Sequence, residues 1–177
     1  MLALAGLKRL QMHDVIAQAQ VLSHEEMLPA VAQGAIGIQC RSGDLRMLAY
    51  LAVLNHADTF CAVRAERALL ACLDGNCRTP IAGQAVRSGK NTMVLTGMLA
   101  KPNGQDMLQV RLTGSVEDPV ALGEAVGQEI RRLAGDKYGE YQEAVQAHDN
   151  NNNNSNNNNN SNSNSNNNGG TWKNLQS

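Results

Sequence analysis

The sequence predicts an α+β fold in which helices pack on one face of a three-stranded antiparallel sheet. Three stretches, 81–87, 93–100 and 107–113, are strand candidates with a period of two. In the third, Leu108, Val110 and Leu112 alternate with polar residues, which is typical of a half-buried strand. A helical pattern precedes the first strand, and another follows the third. Because short turns separate the strands, we expect a meander with one sheet face covered by these two helices.

The amino-terminal segment predicts two short helices and then a strand. Apolar residues recur at helical spacing over 2–10 and again, without strict alternation, over 14–22. Pro29 ends the helical pattern. The apolar run at 35–38 is short and bounded by glycine and charge, which is typical of a buried strand.

Two further helices are predicted before the sheet. Asp44 is a suitable amino-terminal cap for a helix that ends near Leu54. A longer helix follows the break at 55–58 and ends near Leu73, with Gly75 as its carboxyl-terminal cap. The expected apolar stripes are Leu45, Leu48, Ala49, Ala52 and Val53 in the first helix, and Ala65, Ala68, Leu69, Cys72 and Leu73 in the second.

After the three strands, Asp118 and Pro119 predict the start of a long helix, as its cap and its first-turn proline. The expected core stripe of this helix is Leu122, Val126, Ile130 and Leu133. The pattern over 138–147 extends the helix. We expect residues 148–177 to be a disordered tail, because 150–168 contain only Asn and Ser and offer no apolar side chains to bury.

Composition excludes several classes of partner. Lys and Arg total 15 against 16 Asp and Glu, so no net field attracts nucleic acid or an anionic membrane. The apolar runs are well below the ~20 residues that a membrane-spanning helix needs. Cys40, Cys61, Cys72 and Cys77 form no CxxC pair and match no common zinc spacing. We therefore expect reduced thiols in an intracellular protein and no metal.

Cys77 is the candidate for covalent chemistry, because it is a lone thiol between a helix end and a strand start that Pro80 limits. The carboxyl end of a helix disfavours a thiolate, whereas the neighbouring Arg78 favours it. From the residues alone, a structural cysteine is the better interpretation.

Three separated motifs resemble porphobilinogen deaminase, a family also called hydroxymethylbilane synthase. They are Gly6-Leu7-Lys8-Arg9-Leu10, the Gln33-Gly34 strand within 28–41, and the loop from Gly75 to Pro80, and Ala65-Glu66-Arg67-Ala68 stands in the same order. The resemblance covers about residues 1–147. Ala32 and the run 77–83 are most similar to the plant and algal plastid branch.

The resemblance implies four segments in the chain. In the family's numbering of its three domains, residues 1–28 would be the end of domain 2, a periplasmic-binding-protein-like α/β domain. Residues 29–56 would be a strand and a helix that return to domain 1 and then form the hinge that leads into domain 3. Residues 57–147 would form the carboxy-terminal, cofactor-anchoring domain 3, followed by the tail at 148–177. The strand from Ile36 to Arg41 would then pair in a sheet that domain 1 supplies, so we expect the amino-terminal third alone to be poorly ordered.

The resemblance also implies the chemistry. The family is a transferase that condenses four porphobilinogen molecules head to tail, with loss of ammonia, on a dipyrromethane cofactor that Cys77 would hold as a thioether. By the resemblance, Arg9 matches an arginine that binds a carboxylate of the substrate or cofactor. Without the resemblance, the residues favour a solvated helix face at this position. For Gln33 two roles stay open, binding a pyrrole side chain or holding the domain crossover. Arg78 could pair with a pyrrole carboxylate or with an Asp or Glu side chain.

Two family features bear on structure and activity. Glu66 and Arg67 match an acid and a base that pin helix to sheet. The family's catalytic aspartate has no counterpart, because Asp44, Asp58 and Asp74 do not match it. We therefore expect no catalytic residue in these 177 residues and no turnover by them alone.

The implied function is hydroxymethylbilane synthesis for haem and chlorophyll, by an enzyme that is monomeric when full length. The implied location is the plastid stroma, with the cytoplasm as the alternative. The alternative function is a non-enzymatic domain-3 remnant that acts as a binding module. A redox or metal protein that uses Cys72 and Cys77 is the third interpretation.

Overall fold

The computed structural model describes residues 2–75 and 79–141. The expectations for the tail, for Cys77 and for Arg78 fall outside the described residues. The helices are α1 Leu4–Arg9, α2 His13–Ala17, α3 Leu45–Ala52, α4 Ala57–Cys72 and α5 Pro119–Ala134, the last followed by a 3-10 helix, Gly135–Tyr141. The strands are β1 Ile81–Arg87, β2 Thr92–Ala100 and β3 Met107–Ser115.

The three strands form an antiparallel meander in the order β1-β2-β3, which confirms the predicted sheet. Gly97 in the middle strand lies opposite Gly83 of β1 and Val110 of β3. Alternate residues of β2, such as Met93 and Leu95, are buried against the helices, as the period of two predicts.

Helices α4 and α5 cover one face of this sheet, and two glycines of α5 allow them to approach closely. A Cβ atom at Gly123 would meet the carbonyl oxygen of Ala65, and one at Gly127 would lie 2.6 Å from the Sγ atom of Cys72. The resulting core consists of Ala65, Leu69, Leu73, Ile81, Ala85, Met93, Leu95, Leu99, Val110, Leu122, Val126, Ile130, Ala134 and Tyr141. The α+β fold predicted from sequence is therefore confirmed.

The predicted start of α5 is correct, and its end differs. The Asp118 carboxylate accepts a hydrogen bond from the Ala121 N–H at 3.1 Å, and Pro119 occupies the first turn. The buried row continues to Ala134, while Leu133 is 46% exposed, so its assignment to the core stripe was wrong. Gly135 has φ +52°, and the chain continues as a 3-10 helix to Tyr141 rather than as an α-helix.

Helix α3 forms where predicted, capped by the Asp44 carboxylate, which accepts from the Met47 N–H at 3.0 Å. No residue of α3 is buried, and Leu45 remains 78% exposed. The apolar stripe predicted for this helix therefore packs against no core in the described part of the chain.

The strand predicted at 35–38 is absent, and Ile36 is 92% exposed. A buried strand needs a partner, and the strands of the described sheet pair only with one another. The second predicted helix is also shorter than 14–22, since α2 covers His13–Ala17. Across 2–75 and 79–141, no helix is long and apolar enough to cross a bilayer.

The outer edge of β1 is closed by residues that precede α3 and by one side chain of α4. Gly83 donates its N–H to the Pro29 carbonyl at 3.0 Å. Ala85 donates to Glu66 Oε1 at 2.8 Å, and Ala32 donates to Glu66 Oε2 at 2.7 Å. Glu66 is only 7% exposed, so one carboxylate joins helix, sheet and the segment at 29–32.

The environment of Glu66 acts on its pKa in two directions. Burial raises the pKa of this carboxyl above its ordinary value, while the hydrogen bonds from Ala85 and Ala32 act in the opposite sense. The predicted structural role of Glu66 is confirmed by these contacts. The neighbouring Arg67 is exposed and takes no part in them.

We predict that Glu66→Ala destabilises the protein. The substitution leaves two backbone N–H groups without their acceptor, at a cost of about 1–3 kcal/mol for each group that stays buried. Urea unfolding measures the loss, and amide hydrogen exchange at Ala32 and Ala85 localises it. The adjacent Arg67→Ala is the control and should change the free energy of unfolding by less than about 0.5 kcal/mol. Equal effects of the two variants would contradict this role for Glu66.

The cost of Glu66→Ala should depend on pH. Because the folded-state pKa of Glu66 is raised above 4.5, its contribution to stability is fully present below that value and is lost as pH rises through the folded pKa. The difference in free energy of unfolding between wild type and variant should therefore be larger near about pH 4 than near about pH 7. A difference that grows with rising pH would show that the hydrogen bonds outweigh burial.

Candidate functional site

The candidate site is built around the loop between α4 and β1, whose first flank is the end of the helix. Asp74 donates its N–H to Ala71 O at 3.1 Å, and Gly75 donates to Leu70 O at 2.9 Å. This pair of bonds is a Schellman motif, which satisfies carbonyl groups at the end of a helix.

The left-handed residue of this motif is Asp74, with φ +49°, and not Gly75 as the sequence suggested. Asp reaches this region more readily than most residues, because its short polar side chain can form local hydrogen bonds. Gly75 instead lies close to two apolar side chains. A Cβ atom there would meet Ile81 Cδ1 and would lie 2.7 Å from Leu70 Cδ1.

The second flank of the loop is the start of β1. Thr79 is 7% exposed, and its carbonyl accepts the Ile81 N–H at 2.7 Å. The Pro80 carbonyl accepts the Ala100 N–H at 3.0 Å, which extends the β1–β2 ladder. The predicted anchor Cys77 and its neighbour Arg78 lie outside the described residues, between two flanks that backbone hydrogen bonds hold in place.

Two residues, one in the last turn of α5 and one in the 3-10 helix after it, contact the end of α4. These contacts were not predicted from the sequence. Tyr138 donates its hydroxyl proton to the Leu73 carbonyl at 2.7 Å. Arg131 forms an ion pair with Asp74, and its guanidinium carbon lies 4.7 Å from the centroid of the Tyr138 ring. An arginine in the last turn of a helix, followed by an aromatic residue, was the signal that the sequence offered for these contacts. Nothing in the local sequence indicated that their partner is the end of α4.

Gln33 lies on a tight turn beside the sheet edge. Its N–H donates to Ala30 O at 3.0 Å, and the turn uses left-handed conformations at Ala32, with φ +59°, and Gly34, with φ +84°. The N–H of Ala32 is the one that Glu66 accepts, so this carboxylate positions the turn. The side chain of Gln33 is exposed.

Arg9 is the last residue of α1 and is exposed. Helix α1 packs against α2, and within 2–75 and 79–141 no ion pair engages Arg9. The structure therefore brings Gln33 next to the sheet edge and places Arg9, exposed, at the end of α1.

Cys72 is the last residue of α4, and its side chain contacts α5, with Sγ 3.7 Å from the Glu124 carbonyl oxygen. Burial raises the pKa of this thiol above its ordinary value, and the nearby Arg131 acts in the opposite direction. Both features fit the structural role predicted for it. No group of three or more His, Cys, Asp or Glu residues in the described ranges could hold a metal ion.

The three aspartates that do not match the family's catalytic aspartate have structural partners. Asp44 caps α3, Asp58 pairs with Arg87, and Asp74 pairs with Arg131. None of these three carboxylates is a free acid beside the loop.

Two family models match the chain in sequence order. Residues 1–49 match "Porphobilinogen deaminase, dipyromethane cofactor binding domain". Residues 60–132 match "Porphobilinogen deaminase, C-terminal domain". The second match contains most of α4, the loop flanks, the whole sheet and most of α5.

Curated relatives agree with both models. The chloroplastic porphobilinogen deaminase of Pisum sativum is 49% identical over 137 residues, which are 76% of this chain and 37% of the pea protein. The chloroplastic protein of Oryza sativa subsp. japonica is 50% identical over 137 residues, 76% of this chain and 38% of the rice protein. The porphobilinogen deaminase of Moorella thermoacetica is 43% identical over 147 residues, 82% of this chain and 45% of that protein.

The chain thus spans less than half the length of these relatives, and plant and bacterial proteins are both similar to it. The two models lie in order on one chain, and the relatives align across both. The chain therefore belongs to the porphobilinogen deaminase family and carries its C-terminal domain together with part of its cofactor-binding domain.

Proposed function

We propose that this chain is the cofactor-anchoring part of a hydroxymethylbilane synthase. Such an enzyme condenses four porphobilinogen molecules head to tail with loss of ammonia, and water then releases the linear product. The observation that carries the proposal is the order of the two family matches, with the Cys77 loop inside the C-terminal one. Porphobilinogen and the growing polypyrrole would be its ligands.

Cys77 would hold the dipyrromethane as a thioether. A thiolate is not favoured at the carboxyl end of a helix, but an anchor acts as a nucleophile only once, when the cofactor is loaded. The finished thioether does not titrate. The two hydrogen-bonded flanks of the loop support this role, since an anchor needs a defined position more than it needs an activated thiol.

Arg9, Gln33 and Arg78 would bind the carboxylates of the cofactor and of the growing chain. Each pyrrole carries an acetate and a propionate, and an arginine can grip a carboxylate with two parallel hydrogen bonds. Arg9 is exposed and has no ion-pair partner among the described residues, which leaves it available. For Gln33, the exposed side chain supports a contact with ligand, while backbone bonds hold its turn.

We further propose a plastid location and a monomer for the complete protein. The pea and rice relatives are named as chloroplastic, which supports the plastid. The cytoplasm is the alternative location, because bacterial proteins are also similar to this chain.

The second candidate function is a non-enzymatic module that binds a partner. Exposed apolar side chains in the segment at 36–53 favour it, because Leu45 and Val53 are 78% and 83% exposed and Ile36 is 92% exposed. Such a surface is typical of a contact site. The two functions differ in whether the native protein carries a covalent adduct.

We predict that the native protein carries two pyrrole rings on Cys77. The intact mass of the protein from its own cells should then exceed the 19.0 kDa of this chain, and the peptide that spans Cys77 should carry the adduct. In the complete protein, Cys77→Ser should abolish the adduct, since a serine hydroxyl is a far weaker nucleophile than a thiol. Cys72→Ser is the matched control and should keep it. An unmodified Cys77 at a mass near 19.0 kDa would favour the binding module.

We also predict that purified residues 1–177 release no hydroxymethylbilane from porphobilinogen. Protonation and stabilisation of a cationic pyrrole need a carboxylate placed in the cleft, and Asp44, Asp58 and Asp74 are engaged in a cap and in ion pairs. Trapping of product as a porphyrin after acid and oxidation provides the assay. Product formation above that of a heat-denatured sample would contradict the prediction.

A further inference from the structure

We propose that the outer edge of β3 is a docking site for an extended segment of a partner protein, in which carboxylate side chains alternate with branched apolar ones. The segment pairs with β3 as a fourth strand of the sheet. This role is separate from the cofactor anchor. It concerns the edge of the sheet opposite to the one that Gly83 and Ala85 form.

The hydrogen bonds between β2 and β3 show which backbone groups face outward. Lys101 donates its N–H to the Asp106 carbonyl at 2.9 Å, and Val116 donates to the Asn91 carbonyl at 3.1 Å. In the β2–β3 register these pairs belong to one alternating set, so the even-numbered residues of β3 bond to β2. The odd-numbered residues therefore direct their N–H and C=O groups away from β2.

Gln109, Arg111 and Thr113 are the central odd-numbered residues of β3. Strand β2 is the only neighbour of β3 in the described sheet, and within 2–75 and 79–141 no other segment forms backbone hydrogen bonds with these three residues. The outer edge of β1, in contrast, is closed by Pro29 and Glu66. One edge of the sheet is thus covered, and the other is open to a further strand.

Strand β3 has few of the features that keep an edge strand from pairing. Short length, proline, bulges and charged side chains commonly block such edges. β3 is nine residues long and contains no proline, and Arg111 is its only charged residue. Its register with β2 is continuous from Met107 to Ser115, so no bulge interrupts it. A second chain can therefore form backbone hydrogen bonds along its central part.

A groove of about 640 Å³ lies between this edge and α5, and it explains the need for apolar side chains. Its lining includes Leu112, Ala125 and Leu133, and Leu133 is 46% exposed. Every second side chain of an added strand points to the α5 side of the sheet and enters the groove. Branched apolar residues suit these positions, because they favour strands and cover the apolar lining.

The opposite face of the edge favours a carboxylate. Val110 is buried against the helices, so its neighbour Arg111 lies on the other face of the sheet. Arg111 is exposed and has no ion pair within the described ranges. Residues directly opposite each other in neighbouring strands have side chains on the same face. An Asp or Glu residue opposite Arg111 therefore forms an ion pair across the strands.

A second copy of this chain fits the edge less well. When two β3 edges pair antiparallel about a two-fold axis, the registers with the greatest overlap place the two Arg111 side chains opposite or diagonal to each other. Like charges in such positions are destabilising. Charge complementarity therefore favours an acidic partner over self-association.

The test titrates the isotope-labelled 177-residue chain with a synthetic peptide in which valine and glutamate alternate. In the paired strand, the glutamates on the Arg111 face direct their N–H groups to β3, and the valines direct theirs away. Two matched probes follow from this geometry. One peptide is N-methylated once at a glutamate, and the other once at the neighbouring valine.

We expect the peptide to shift the amide resonances of Gln109, Arg111 and Thr113 and to slow their hydrogen exchange. Methylation at the glutamate should weaken binding by at least about five-fold, since it removes a backbone hydrogen bond. Methylation at the valine should change the affinity by less than about two-fold, because that N–H has no partner in β3.

Charge reversal tests the carboxylate. Arg111→Glu should weaken binding of the glutamate peptide by about five-fold and strengthen that of a valine–lysine peptide by a similar factor, because ion pairs and like-charge pairs are exchanged. Arg67→Glu is the matched control. Arg67 is exposed on α4 and does not line the groove, so its reversal should change either affinity by less than about two-fold.

Equal effects of the two methylated peptides, or no resonance shifts with the glutamate peptide, would overturn the docking site. These two results need only the unaltered chain, so they hold even if Arg111→Glu does not fold. Slow exchange at Gln109, Arg111 and Thr113 before peptide is added would refute the acidic partner. It would assign the edge to a second copy if it depends on protein concentration, and to another segment of the same chain if it does not.

Discussion

The buried carboxylate of Glu66 is the contact on which the arrangement of the site depends. Its two oxygens accept N–H groups from Ala32 and Ala85, which lie 34 and 19 residues away in sequence. Ala32 lies in the match to the cofactor-binding domain and Ala85 in the match to the C-terminal domain. One side chain of α4 therefore joins the two family regions of this chain and holds the turn that carries Gln33.

The parts of the fold that follow from local patterns could be predicted from sequence. The bounds of β1 were correct, because the strand begins just after Pro80 and ends before the Ser88-Gly89 turn, and both signals are local in the sequence. The caps at Asp44 and Asp118 were also correct, since each carboxylate accepts a backbone N–H only three residues ahead of it. A signal of this kind needs no knowledge of the rest of the molecule.

The predictions that failed depended on partners distant in sequence. The run at 35–38 has the composition of a buried strand, but composition cannot show whether a neighbouring strand is present to accept it. The Gly75 cap was misassigned because glycine is the usual left-handed residue, whereas here Asp74 takes that conformation. Tyr138 and Arg131 were missed because their partner is a helix end 65 and 57 residues away.

The restraints around the loop match what a covalent anchor requires. The end of α4 before Cys77 presents the negative pole of the helix dipole, which disfavours a thiolate, whereas the neighbouring Arg78 favours one. A thioether, once formed, needs only that its point of attachment stay fixed while the attached chain grows. The Schellman motif, the Leu73–Tyr138 bond and the buried Thr79 all act on position and not on reactivity. The contacts of the described flanks therefore support the proposed anchor role, which depends on position, more than a role in repeated nucleophilic attack.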